Sequence, residues 1–509
     1  MTADTTPVLV VGAGPTGLML ALWLARAGVR VRIVDRAPAA ATESRALVMH
    51  ARSLEFYQQL GLADVALARG RKFAGARLWS GGRMRGRIAL GDIGTGLSPF
   101  PFMLILPQDE QERLLAEALQ QAGVSVERGV ELVRFDDDGT RVLATLRDAA
   151  GRESACECAY LAGCDGAHSA VRHGSGVGFA GEPYARMFYV ADVQARGDLV
   201  NGELNLALDT SDFMAVFPLP QGDSVRLIGT IRNDAPNTAH LQWEDVSHAV
   251  LRRLPLTVER VNWFSTYRVH HRVADRFRTG RAFLLGDAGH IHSPVGGQGM
   301  NTGLGDAVNL AWKLAMVVGG RAPDRLLDTY EPERIAFARR LVATTDRAFT
   351  FVTREGALAR VVREDVAPWL VPDVLKLPAA RRFAFRAVSQ IMIEYRKSAL
   401  SSGQAGDVHG GDRLPWTGGN FAPLASRDWQ AHVYGEPAEA LRVACATAGV
   451  ALHAFPGQAE AAGLPRGAVC LVRPDGYIGL VVADPPPQAI AEYFGSRELR
   501  PQTGRGPGV

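Results

Sequence analysis

Gly12, Gly14 and Gly17 stand in "VGAGPTGLML" at the spacing G-x-G-x-x-G, and Asp35 follows 18 residues after the third glycine. Residues of these types at this spacing suit the holding of a pyrophosphate and a ribose. The first glycine makes a tight turn, the second lets the backbone approach the phosphates, and the third lets a helix pack close to a strand. An acid at the end of the next strand can bind ribose hydroxyls. Pro15 and Thr16 lie inside the turn, and Arg36 follows the acid. Two more acid–glycine clusters lie downstream. Asp165-Gly166 follows the apolar run "AYLAGC", and such a pair taken alone is usually just a turn. Asp287 ends the strand-like "AFLLG", with Pro294, Gly296, Gly297, Gly299, Met300 and Asn301 after it and then a long helical pattern. An acid at that strand end can bind a further polyol hydroxyl. The glycine-rich backbone can lie against a flat ring without side-chain bulk, and the N-terminus of the following helix suits negative charge on that ring.

The elements that must position these groups are legible around them. Pro7 to Ala25 is a run of 19 uncharged residues, near the roughly 20 needed to cross a bilayer. The glycines split that run. Val8–Val11 has strand length and β-branched residues, Leu18–Ala27 has helix length, and Gly28 is a suitable residue just past a helix end. "VRVRIVD" is then a second strand closed by a carboxylate. The pattern is strand, glycine turn, helix, strand, and not a membrane anchor. "MTADTTP" contains an acid and no basic residue, unlike the start of a signal peptide.

The 509 residues suffice for two or three domains, and 47% hydrophobic with 21% charged residues is an ordinary globular composition. The net charge of +3 comes with no basic block interleaved with aromatics, so nucleic acid is not an expected partner. Cys156, Cys158, Cys164, Cys445 and Cys470 form no disulfide framework and match no zinc spacing. No metal site is expected, and a reducing cytoplasm suits the odd cysteine count.

Residues 1–75 read as βαβ plus a helix, and 76–100 as glycine-rich strands. An amphipathic helix starts near Asp109, 124–164 alternate as strands, and 175–270 are mostly strand-like. Helical signals dominate from 286 to about 395. Residues 401–415 read as a connector by composition, and 416–509 alternate strand and helix again.

The three motifs together resemble those of the FAD-dependent aromatic hydroxylases, the single-component group A flavoprotein monooxygenases, over residues 1 to about 345. Within that family the chain is most similar to the three-domain phenol and aromatic polyketide hydroxylases. The resemblance implies an α/β (α+β) fold. Its Rossmann-like FAD-binding domain would comprise residues 1–75, 101–174 and 271–400 with a helical extension. A β-sheet substrate domain is expected from 76–100 and 175–270, a linker at 401–415, and a thioredoxin-like domain at 416–509. All three motifs lie before residue 315, so residues 417–509 are expected to be dispensable for flavin binding. Without a CxxC motif that last domain is expected to be structural.

The resemblance also implies roles. Gly12, Gly14, Pro15, Thr16 and Gly17 would hold the FAD pyrophosphate, with Asp35 and Arg36 at the adenosine side. Arg45 matches an arginine near the phosphate and ribitol, and Gln108 a glutamine near the ribitol. Asp165 and Gly166 match a motif linked to both FAD and NAD(P)H. Asp287 would bind FAD, Gly297, Gly299, Met300 and Asn301 would line the flavin ring edge, and Pro294 would sit beside its reactive face. The chain departs from the family with Gly289 where alanine is common, a single Pro294, and Asp35 in place of glutamate; none removes a binding group. His290 and His292 are expected to be structural. The implied reaction uses NADPH or NADH and O2, and inserts one oxygen atom into a small aromatic or polycyclic substrate through a flavin C(4a)-hydroperoxide. Epoxidation, Baeyer–Villiger oxidation and antibiotic inactivation are related outcomes, and a flavin-binding regulatory protein is the non-enzyme alternative. A homodimer is left open. No side-chain acid or base stands out as catalytic. Tyr267, Arg268 and His271 are within reach of a pocket in sequence terms, but packing accounts for them equally well. Phe188, Phe213 and Phe217 suit an apolar substrate wall, yet each taken singly reads first as core.

Overall fold

Val8, Leu9, Val10 and Val11 are all buried, as a strand covered on both faces requires. In the computed structural model, which describes residues 4–42, 46–181, 183–208, 213–220, 222–231, 241–246, 250–292, 295–353 and 367–501, the strand Asp4–Val11 lies at the centre of a parallel sheet. Val31–Asp35 and then Val126–Arg128 flank it on one side, and Glu153–Gly163 and then Ala282–Leu284 on the other. Val11 lies opposite both Val34 and Gly163, and Gly163 opposite Leu284. The chain therefore leaves the sheet at Gly12, Asp35, Cys164 and Leu285 along one edge, the carboxyl ends of the strands, where open α/β sheets bind ligands. Helix Pro15–Arg26 follows the first turn, with Leu18 to Leu24 fully covered. It packs along the central helix Gln298–Val318.

A second, seven-stranded sheet has the order Leu256–His270, Pro183–Gly197, Ser224–Ile231, Phe213–Pro218, Leu204–Leu208, Gly75–Ser80 and Arg83–Ala89. The glycine-rich strands near residue 80 thus join the strands of 183–270 in one sheet. Side chains alternate across this sheet with period two. Met214, Val216 and Leu227 enter a separate core with Tyr189 and Val193, while Phe213, Ala215, Phe217 and Ile228 face the cavity described below.

The third unit runs Gln430–Val433, helix Glu439–Ala448, Ala451–Ala454, helix Ala459–Ala462, Val469–Val472, Ile478–Val482, helix Ala489–Arg497. Its first two strands are parallel and the others antiparallel, in the order second, first, third, fourth. The unit therefore has the order βαβαββα, with one parallel and two antiparallel strand pairs. Cys445 and Cys470 are buried and free. Burial pushes the Cys445 thiol up to about 11 and the Cys470 thiol higher still, as in inert structural cysteines. Residues 401–415, which read as a connector from composition, are packed into this unit. Ser402 bridges Leu480, Arg413 bridges Tyr477, and Ala405, Val408 and Leu414 are buried.

The third unit is joined to the first by buried charge. Arg473 donates to both oxygens of Glu333 at 2.8 and 2.9 Å and to Asp475 at 2.6 Å. Lys313 of the central helix donates to Glu333 at 2.7 Å, and Trp312 Nε1 to Asp475 at 3.0 Å. Nearer the N-terminus, Arg413 pairs with Glu55, and Arg52 donates to the Asp475 carbonyl at 2.6 Å. None of these charged side chains is more than 7% exposed. This interface alters the expectation for 417–509, because deleting them strips Glu333 and Lys313 of Arg473 and bares Trp312. Breaking a buried ion pair by removing one partner costs about 3–5 kcal/mol. Arg473→Met is therefore expected to lower unfolding stability by about that amount, measured by thermal or urea unfolding of the full chain. A loss below about 1 kcal/mol would show that the network does not support the fold.

Candidate functional site

The carboxyl edge of the parallel sheet opens into a cavity of about 1380 Å³ that continues to the inner face of the seven-stranded sheet. One half is polar backbone: Gly14, Pro15 and Thr16, then Gly166, Asp287 and Gly296–Met300. The other half is apolar, with Phe73 edge-on to Phe217 at 6.2 Å and Phe188 stacked on Tyr267 at 5.7 Å between ring centres.

The glycines around the turn have two distinct reasons to be glycine. At Gly12, φ is +100° and a Cβ would lie 2.3 Å from the Cys164 carbonyl oxygen; at Gly17 it would lie 1.9 Å from the Gly12 oxygen. Those two are demanded by packing within the protein. Gly14 has ordinary φ (−77°), and a Cβ there would meet no protein atom within 4 Å. The space beside Gly14 belongs to the cavity it lines, so the reason for glycine there lies in a ligand. Gly14 is also the N-cap of helix Pro15–Arg26, and Gly297 (φ +63°) that of the central helix; neither has a side-chain cap. Two helix N-termini thus border the cavity with uncapped N–H groups, a setting for anionic oxygens.

Several buried polar groups hold these turns. Asp306 on the central helix accepts from the Gly286 N–H at 3.0 Å, His290 Nε2 at 2.7 Å and Arg334 Nε at 2.6 Å. It fixes the turn that exposes Asp287 to the cavity. Although burial opposes it, the Arg334 guanidinium and His290 hold the Asp306 carboxyl below the usual carboxylate range. Asn301 Nδ2 donates to the carbonyls of Val48 and Gly297 at 2.8 Å each, and its oxygen accepts from the His50 N–H at 2.9 Å. His50 Nε2 lies 2.9 Å from the Gly296 carbonyl, and burial depresses this imidazole to about 4, so at neutral pH its Nε2 carries the proton and donates. Asp165 is held by the Val171 N–H at 3.2 Å through Oδ2, while its buried Oδ1 has no hydrogen bond among the described residues. Burial raises its carboxyl above the usual range.

Of the residues read from sequence, Gly14, Pro15, Thr16, Gln108, Gly166, Asp287, Gly297, Gly299 and Met300 line the cavity together. Gly12, Gly17, Asp165 and Asn301 lie behind that wall as its supports. Asp35 is not on the cavity wall: its carboxylate accepts from the Ala13 and Ala37 N–H groups at 2.6 and 2.8 Å. Arg36 is exposed beside it. Arg45 and Pro294 lie outside the described residues. His290 is buried on Asp306, whereas His292 lines the cavity. Tyr267 reaches the cavity through its strand alternation, His271 is not among the lining residues, and the Arg268 side chain lies outside what is described. Phe188, Phe213 and Phe217, which singly read as core, all line the cavity. Sequence reasoning passed over His50, Asp306 and Arg272. Only His50 carried a signal, a lone histidine inside the otherwise apolar "ALVMHA".

The orphaned Asp165 oxygen, the open space at Gly14 and the two bare helix ends fit a flavin dinucleotide. The FAD binding domain family model matches residues 5–345. This chain belongs to the FAD-dependent aromatic hydroxylase family. It is 36% identical to 6-methylpretetramide 4-monooxygenase from Streptomyces rimosus, over 94% of this chain and 90% of that one. Among solved structures it resembles OxyS anhydrotetracycline hydroxylase from Streptomyces rimosus, with a TM-score of 0.78 and 28% identity over 98% of this chain and all of the other. It also resembles aklavinone-11 hydroxylase in a ternary complex with FAD and aklavinone, with a TM-score of 0.76 and 25% identity over 98% and 100% of the two chains. The hydroxylase is thus a flavin-dependent monooxygenase of the aromatic and polyketide class.

Two outcomes follow from the site geometry. Gly14→Ala is expected to fold, with apoprotein stability unchanged or slightly raised, yet to lose at least about tenfold in FAD affinity. Gly17→Ala should fail to reach the native packing at all. FAD titration of the apoproteins with thermal unfolding separates the two, and equal FAD affinity for Gly14→Ala and wild type would remove the ligand argument. His50 gives a pH dependence. Between pH 6.5 and about 4 the unfolded chain binds a proton that the folded His50 refuses. Stability should therefore fall as pH falls through that window, by up to about 3 kcal/mol from this group. His50→Asn should flatten the slope measured by urea unfolding from pH 7 to 4; an unchanged slope would contradict the assignment.

Proposed function

We propose that the hydroxylase inserts one oxygen atom of O2 into a phenolic or multi-ring, polyketide-type substrate, with NADPH or NADH as electron donor. The observation that carries this reading is the joining of a dinucleotide-type backbone wall and an aromatic wall in one cavity. Its volume exceeds the roughly 300–1,000 Å³ of an ordinary small-molecule pocket, which leaves room for a cofactor and a ring system side by side. The polyketide-directed relatives point to the same substrate class.

Bound FAD would supply the redox chemistry that activates O2 toward an electron-rich ring. The chain's own residues then have identifiable tasks. Gly14, Thr16 and the N–H groups opening helix Pro15–Arg26 would hold the pyrophosphate. Asp287 would hold a ribitol hydroxyl, with Gln108 nearby. The backbone of Gly297, Gly299 and Met300 would lie along the ring edge, where the N-terminus of the central helix favours negative charge. Phe73, Phe188, Phe213, Phe217 and Ile228 would bury the substrate ring and keep water from the reacting atoms. Ser265, Thr266 and His270 bring polar side chains to the same wall, where they can orient a phenolic oxygen.

The deciding experiment screens phenols and aromatic polyketides for stimulated NADPH and NADH oxidation by the holoenzyme. Product mass and NMR identify the outcome. The expected result is donor oxidation coupled to a product heavier by one oxygen atom on an aromatic carbon. Ring expansion would identify a Baeyer–Villiger oxidation and an oxirane an epoxidation. Failure of every aromatic candidate to stimulate donor oxidation would overturn the reading.

A further inference from the structure

Leu370, Val374 and Leu377 recur at the i, i+4, i+7 spacing of one helix face, and in a surface helix the apolar face is ordinarily turned to the core. Here it is turned outward. Helix Ala367–Val374 and the turn after it leave Leu370 55% and Leu377 60% exposed, with Val371 and Val374 exposed beside them. Helix Pro378–Val388 continues this surface with Phe383, at 64% the most exposed large apolar side chain among the described residues. The first of these helices packs against strand Arg83–Ala89, which adds a half-exposed Met84. Single exposed apolar side chains are ordinary, but a group of them marks a surface that meets something.

The charges on the same surface give the sign of the partner. Residues 367–388 contain Lys376, Arg381, Arg382 and Arg386 but a single acid, Asp373, so these few turns carry as much net positive charge as the whole chain. Asp373 is engaged by Lys376 at 2.6 Å. The three arginines have no ion-pair partner among the described residues, and Arg382 and Arg386 are exposed on either side of Phe383. A second copy of the chain is a poor occupant, because a two-fold interface would set these arginines against their own copies with no acid to separate them. The surface suits a negatively charged partner that also accepts bare leucine and phenylalanine side chains. An anionic lipid surface does both: its headgroups meet the guanidinium groups while the apolar side chains enter the acyl boundary. No helix among the described residues is long and apolar enough to cross a membrane, so the contact is an interfacial one.

The same surface is continuous with the cavity. On the buried face of helix Pro378–Val388, Phe385 fills the space that Gly94 leaves by lacking a side chain. Val388, at the end of that helix, lines the cavity, and its carbonyl accepts from Gln298 Nε2 at 2.8 Å. We infer that helices Ala367–Val374 and Pro378–Val388 dock the protein on an anionic lipid surface, with Leu370, Leu377 and Phe383 entering the headgroup boundary and Arg382 and Arg386 meeting lipid phosphates. Docking there holds lipid one short helix away from the cavity wall, and apolar multi-ring compounds partition into lipid. That supply route rests on the substrate class proposed above; the docking itself does not.

Co-sedimentation of the FAD-loaded holoenzyme with vesicles, in the absence of substrate and nucleotide, tests the docking. One set of vesicles is phosphatidylcholine alone, the other phosphatidylcholine and phosphatidylglycerol in equal parts. Wild type is expected to bind the anionic vesicles at least about tenfold more tightly than the neutral ones, and to lose that binding as salt is raised. Phe383→Ser and the double variant Arg382→Glu/Arg386→Glu should each weaken binding to the anionic vesicles at least about tenfold. All three positions are exposed, so FAD content and the thermal midpoint should hold in both variants. No binding to anionic vesicles overturns the inference, as does equal binding to both sets or binding that neither variant weakens. Wild type that ignores vesicles but self-associates in sedimentation velocity, with Phe383→Ser monomeric, would assign the surface to a second copy. Salt-sensitive binding to polyglutamate but not to vesicles would assign it to an acidic protein. Failure of every aromatic candidate to stimulate donor oxidation would leave vesicle binding standing, so the two readings fail separately.

Discussion

Thr16 is caught in a space that admits no additional methyl group. A Cβ on Gly286 would lie 2.8 Å from its hydroxyl, and one on Gly303 only 2.3 Å. Directly below, Gly17 meets the Gly12 carbonyl and Gly12 meets that of Cys164. The first helix, the central helix, the Asp287 turn and the strand end before Asp165 therefore converge to backbone contact at one point. Interiors packed this closely transmit displacement instead of absorbing it. The distances between the Gly12–Gly17 turn, the Asp287 turn and the Gly296–Gly299 loop are consequently fixed by packing within the protein, and pre-organisation of this kind lowers the cost of binding.

Much of this was legible in the sequence, because its signals are local. A glycine turn between a β-branched run and an apolar helix specifies its own geometry, and the three acids sit where their strands end. The parallel order then brings them to one edge without further instruction. Asp35 shows where local reading stops. The strand-end acid is present, and its carboxylate also anchors the Ala13 and Ala37 N–H groups, two contacts that its position in the motif does not give. His50 gave only the signal of a lone histidine in an apolar run and Asp306 gave none, because the contacts that give them meaning, at Gly296 and Gly286, lie in other elements of the fold. Likewise, the aromatic wall needed strand register before Phe213 and Phe217 could be told from Met214 and Val216.

The central helix shows why charge in a helical pattern is easily misread. Asn301, Thr302, Asp306, Asn309 and Lys313 are all buried, although polar positions in such a pattern ordinarily mark the solvated face. Each has a partner across a packed boundary. Asn301 holds the Gly297 loop, Asp306 the Asp287 turn, and Asn309 with Lys313 meets Glu333 and hence Arg473. One helix thus has the glycine-rich end of the cavity at its N-terminus and the third unit at its C-terminal half. The third unit is thereby tied to the helix that borders the site, although among the described residues it supplies none to the cavity wall.

The order in which the chain is made also matters. The hairpin Gly75–Ser80 and Arg83–Ala89 can pair with itself as it leaves the ribosome, but its outer partner is Leu204–Leu208, parallel to it and much later in the chain. The first strand is in a similar position, since the edge of its sheet is completed only by Ala282–Leu284. Both sheets must therefore wait with open strand edges, the hairpin for a strand less than halfway along the polypeptide and the first sheet for one just past its middle. Such long-range closure slows folding and leaves the nascent chain prone to misassociation. Yield of the intact enzyme should depend on translation speed and chaperone supply more than on the stability of the finished molecule.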